Sequence, residues 1–87
     1  MKFLIVENSS GRRVERINVG HITSIDTTRK AVVIYYGNED RIDLPVDNGT
    51  PEEYADWILD KIIKGAEIID IRPGANNPFQ HSKKIKD

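Results

Sequence analysis

The sequence contains no cysteine. Disulfides and thiolate metal sites are therefore excluded, and the chain is expected to suit the reducing cytoplasm. Long hydrophobic runs are also missing. The longest, Phe3–Val6 and Ala31–Tyr36, fall far short of the ~20 residues a membrane-spanning helix needs. No charged segment leads into an apolar run at the start, so no secretory signal is expected. Histidine is limited to His21 and His81, with no H-x-x-x-H spacing to make a metal site. Ser9, Ser10, Ser24 and Ser82 lack the G-x-S-x-G context of an activated nucleophile. The glycines are scattered, so no phosphate-cradling loop is formed. These gaps point to a non-enzymatic chain with no catalytic, cofactor-binding or metal-ligating residues. Charge of one sign is lacking as well: the formal net charge is −1, which gives no whole-chain case for nucleic acid.

The clearest local signal that is present is TPEEYADWILDKIIKG, residues 50 to 65. Thr50 with Glu53 three positions on is a capping box, and Pro51 suits the first helical position. Glu52 and Glu53 lie at the positive end of the helix dipole, Lys61 and Lys64 at the negative end, and Gly65 is a natural stop. Tyr54, Trp57, Ile58 and Ile62 recur at helical spacing, widened by Ala55 and Leu59. Asp60 and Lys64 are placed for an i,i+4 ion pair. A stripe this broad must be covered, and the preceding fifty residues read as strands.

Lys2–Glu7 is apolar on both faces and reads as a central strand. After the turn cluster Asn8–Gly11, Arg12–Val19 reads as a second strand completing a hairpin, with a bulge or a change of exposure where Val14 breaks the alternation. Gly20-His21, and the three-residue step from Ile22 to Ile25, suit a short turn or bulge leading into a strand. Asp26–Lys30 reads as a turn. Ala31–Tyr36 and Arg41–Leu44, joined through Gly37–Asp40, form a second hairpin that Pro45 ends. Glu67–Ile71 supplies one more strand. From Ala75 onward the composition is polar, and a flexible tail is expected. The fold class is α+β: an antiparallel sheet of short strands in the order β-β-β-β-β-α-β, with one helix packed on one face. Residues 1–71 form the domain and 72–87 the flexible basic tail.

Charge divides along that boundary. Residues 1–71 carry nine Lys/Arg against thirteen Asp/Glu, whereas Arg72, Lys83, Lys84 and Lys86 face only Asp87 in the remainder. Carboxylates gather at Glu39, Asp40, Asp43 and Asp47 in a pattern that fits turns and a solvated face rather than a calcium loop. Arg12, Arg13, Arg16, Arg29, Lys30, Lys83, Lys84 and Lys86 could contact phosphates, with Tyr35, Tyr36 or Phe79 stacking on bases. Equally, strand charges blunt a sheet edge and a basic tail aids solubility.

Adjacent Tyr35 and Tyr36 must point to opposite faces. Val33 and Tyr35 are then candidates for an open interface, with Phe3 or Ile5 beside them. The expected function is a small protein-interaction module that self-associates as a homo-oligomer or docks on a protein partner. Nucleic-acid binding through the basic residues is the alternative, and neither a membrane nor a small-molecule substrate is expected.

The spacing Phe3–Val6, Ile17–Val19, Ile22/Ile25, Val32–Tyr36, Ile42–Leu44 and a helix from Pro51 resembles the FlbD-like small proteins linked to flagellar function and swarming. Gly20–Trp57, with NVGHITSID leading to a hairpin and helix, is similar to the DNA-binding LytTR domain. Both resemblances rest on apolar positions, and neither carries a functional residue across.

Overall fold

A computed structural model describes residues 1–8, 13–74 and 77–80. Strand β1 (Phe3–Asn8) pairs antiparallel with β2 (Arg13–Asn18). A 3-10 turn over Val19–His21, capped by the Asn18 side chain accepting from Gly20 N at 2.8 Å, leads to β3 (Ile22–Thr27). Strands β4 (Ala31–Tyr36) and β5 (Asp40–Pro45) follow, then helix α1 (Pro51–Ile63) and the short β6 (Ile68–Asp70). The element order is the one expected, and the class is α+β.

The strands form two three-stranded sheets rather than one, in orders β2-β1-β6 and β3-β4-β5. β6 runs parallel to β1, so the first sheet is mixed. β1 is central, as its two apolar faces require. The first hairpin has an unbroken register, and Val14 breaks the apolar alternation by turning to the outer face, 42% exposed. The register does shift between Ile22 and Ser24, where the Thr23 hydroxyl donates to Tyr35 O at 3.1 Å. β3 continues through Thr27, so the turn expected over Asp26–Lys30 shrinks to 28–30. There the Thr28 hydroxyl accepts from both Lys30 N and Ala31 N and holds the chain in a local loop.

Helix α1 carries the full capping box, and the Asp60–Lys64 pair closes at 3.2 Å. Its C-terminus is a Schellman stop: Gly65 N donates to Ile62 O and Ala66 N to Lys61 O, with Gly65 at φ +80°. Tyr54, Ala55 and Ile58 are buried, with Trp57 and Ile62 packed beside them. Leu59, expected to widen the stripe, is instead 40% exposed. The core lies where the helix meets the inner faces of both sheets, with Leu4, Val6, Ile17 and Ile69 from one and Val32, Ile34, Ile42 and Leu44 from the other. Among the described residues no helix is long and apolar enough to cross a membrane.

One expectation is corrected outright. Within the stretch read as a flexible tail, Asn77 and Gln80 are buried and Phe79 packs against the core. Asn77 is 1% and Gln80 6% exposed. The Phe79 ring stacks on Tyr54 at 4.9 Å between centroids and tilts against Trp57 at 5.7 Å. Phe79 O accepts from Asp47 N and Asn48 N. Gly49 lies close beneath, at φ +86°, where an added Cβ would come within 3.1 Å of the Phe79 ring. Polar composition misled because the Asn77 and Gln80 side chains each find specific partners. Residues 81–87 lie outside the described residues.

Candidate functional site

β1 alternates between two environments. Leu4 and Val6 point into the core, while Phe3, Ile5 and Glu7 point the other way. Register across the sheet assigns their neighbours on that outer face. Phe3 lies between Asn18 and Ile68, Ile5 between Arg16 and Asp70, and Glu7 beside Val14. Phe3 and Ile5 are half-buried and neither joins the core cluster. Ile68 is 64% exposed on the same face. The result is an apolar centre of Phe3, Ile5, Val14 and Ile68 with charged residues around it.

Those charges are ordered. Arg16 is exposed on β2 and, among the described residues, has neither an ion pair nor a hydrogen bond from its side chain. On the opposite edge the Asp70 carboxylate accepts from the Arg72 guanidinium at 2.6 and 2.9 Å. These hydrogen bonds hold the Asp70 carboxyl below its usual range, so it stays ionised.

The expected interface residues fare differently. Val33 and Tyr35 do lie on the face of β3-β4-β5 turned away from the core, but Val33 is only 4% exposed. It sits in register between Asp26 and Asp43, and Arg41 lies beside Tyr35. That face is polar and offers a partner almost no aliphatic surface, so the open apolar face belongs to the other sheet. The sequence marks Phe3 and Ile5 only as neighbours of the expected interface and does not single out Val14, Ile68 or Asp70 for it. The available signal was a central strand apolar on both sides, which must show one side outward in a small fold with a single helix.

The candidate phosphate contacts are not gathered. Arg13 and Arg16 are three apart on β2 and so take opposite faces, with Arg13 ion-paired to Glu15 at 3.9 Å. Arg29 and Lys30 lie at the β3–β4 turn of the other sheet. Arg12, Lys83, Lys84 and Lys86 lie outside the described residues. Phe79 is spent on the core, and the Tyr36 hydroxyl donates to Glu15 at 2.8 Å, tying one sheet to the other. Among the described residues no three acidic or histidine side chains gather as a metal site, and Asp43 of the acidic run is ion-paired with Arg41 at 3.3 Å.

The other displaced ionisations are structural. Burial pushes the Tyr54 hydroxyl up to about 12, against a hydrogen bond from Asn77 that lowers it. Tyr36 is also pushed up to about 12, by burial first and then by its bond to Glu15. Both values lie above the ordinary 10.0, so the fold favours the neutral phenols. Their stabilisation is complete below pH 10 and lost as pH rises through about 12. Denaturant midpoints are expected to fall across that window, with phenolate absorbance from both residues appearing as the chain unfolds. Ionisation of both near pH 10 in an intact fold would contradict this packing.

Comparison with protein-family models, curated proteins and solved structures finds no match for this chain.

Proposed function

We propose that this chain is a non-enzymatic interaction module that docks protein through the outer face of β2-β1-β6. One observation carries the reading: the central strand turns half-buried Phe3 and Ile5 away from the core cluster, beside exposed Val14 and Ile68. Apolar side chains contiguous across three strands and rimmed by charge are the composition of a protein-binding surface. The two displaced phenols support binding rather than catalysis, since Tyr54 and Tyr36 are each committed to a partner within the fold.

The face is small. Strand spacing and rise give it roughly 15 Å by 20 Å, well below the ~800 Å² per partner of a standard interface. Association through it is therefore concentration-dependent. Methyl NMR through a dilution series tests the surface directly. Signals of Ile5, Val14 and Ile68 are expected to move with concentration or added partner, and those of Leu59 and Ile63 on α1 to stay fixed. Movement confined to the helix methyls would reject this face.

A further inference from the structure

We infer that the partner on this face is a second copy of the chain, packed about a two-fold axis running along β1, with Arg16 of each protomer against the partner's Asp70. The inference rests on the reading of this face as a docking surface and adds the identity and geometry of what covers it.

Charge is ordered across one row of the sheet. Arg16, Ile5 and Asp70 lie side by side, positive at the β2 edge, apolar in the middle and negative at the β6 edge. Two copies stacked face to face are related by a two-fold axis in the plane between them. If that axis runs along the strands, it exchanges the β2 and β6 edges. Arg16 then meets the partner's Asp70 at both ends of the row, and Ile5 meets the partner's Ile5 at the centre. In the next row Phe3 meets the partner's Phe3, and Asn18 covers the partner's Ile68. If the axis instead runs across the strands, β2 lies over β2, and Arg16 meets the partner's Arg16, Asn18 or Val14 and never a carboxylate. Only the first arrangement gives Arg16 a carboxylate, so charge order selects it.

The groups are free to do this. Arg16 has no side-chain partner among the described residues. Asp70 uses both oxygens on Arg72, but a carboxylate offers about four acceptor sites, which leaves room for a second guanidinium. The same operation sets Glu7 opposite the partner's Glu7 at the end of the patch, where each lies in the field of its own Arg72, which offsets part of their repulsion. Sheets stack at ~10 Å, a gap an arginine side chain can cross.

Charge reversal tests this arrangement. Arg16→Glu alone sets the introduced carboxylate against the partner's Asp70 at both ends of the row. Asp70→Lys alone sets the introduced ammonium against the partner's Arg16. Each is expected to weaken self-association by about tenfold or more. Mixed in equal amounts, the two variants form a heterodimer in which both pairs are opposite in sign. Its affinity, read by sedimentation with one variant labelled, is expected within about threefold of the original.

A dimer indifferent to Arg16→Glu, or a mixture that forms no heterodimer from two folded variants, overturns this geometry and leaves the docking face standing. A chain that remains monomeric at millimolar concentration, with the face engaged by some other protein, overturns the choice of a second copy. Arg16 is exposed and without a described partner, so Arg16→Glu alone still decides the matter if Asp70→Lys fails to fold.

Discussion

Asn77→Ala is expected to lower the stability of the fold by about 3 kcal/mol. The Asn77 amide donates to Ile71 O at 2.7 Å and to the Tyr54 hydroxyl at 2.8 Å, with a longer contact to Gln80 Oε1 at 3.1 Å. Its carbonyl oxygen accepts from Phe79 N at 3.0 Å. The Tyr54 hydroxyl in turn donates to Gln80 Oε1 at 3.3 Å. Truncation leaves a carbonyl, a phenol oxygen and an amide short of partners in a dry site, each costing roughly 1–3 kcal/mol. It also unseats Phe79, whose ring caps Tyr54. For a domain of this size the melting temperature should fall by roughly 12–24 °C. Calorimetry or denaturant unfolding measures it, with Leu59→Ala as an exposed control. A change under about 1 kcal/mol would show that residues 77–80 do not unfold with the core.

Ile5→Asp is expected to weaken association about a hundredfold or more while the monomer stays folded. Ile5 occupies the middle of the outer face and does not join the core cluster, so the cost to the monomer is the β-propensity difference, up to ~1 kcal/mol, plus the cover its half-buried side chain already has, about 1 kcal/mol. In the dimer the loss is counted twice, because each copy gives up burial of the part of Ile5 still exposed in the monomer, about half of the ~1.5–3 kcal/mol of a whole aliphatic side chain. The two introduced carboxylates would also face each other across the axis without a partner. Tyr35→Asp, on the outer face of β3-β4-β5, is the matched control and is expected to change nothing. Equal loss from both variants would mean that the second sheet takes part after all.

How far the sequence could be read depended on how local each signal was. The helix was legible almost to the residue because Thr50, Glu53, Pro51 and Gly65 act within a few positions of themselves. The β4–β5 hairpin was legible for the same reason, through Gly37 at φ +65°. Asn77 and Gln80 were not, because their partner Tyr54 is more than twenty positions away and polar residues are the ordinary mark of a tail. The usable hint was Tyr54 itself, since a tyrosine on a buried helix face needs a hydroxyl partner from somewhere. Likewise β6 was legible as a strand, but its parallel pairing with β1 depends on α1 carrying the chain back across the sheet. That pairing placed Asp70 level with Arg16, which spacing along the chain could not show.

The measurement closest to the central claim is the mass of the unmodified chain by sedimentation equilibrium from micromolar to millimolar concentration. A weight-average mass that rises from 9.9 kDa toward twice that value, and stays at 9.9 kDa for Ile5→Asp, is the predicted result. A mass of 9.9 kDa at every concentration, or equal self-association by Ile5→Asp, would contradict self-association through β2-β1-β6.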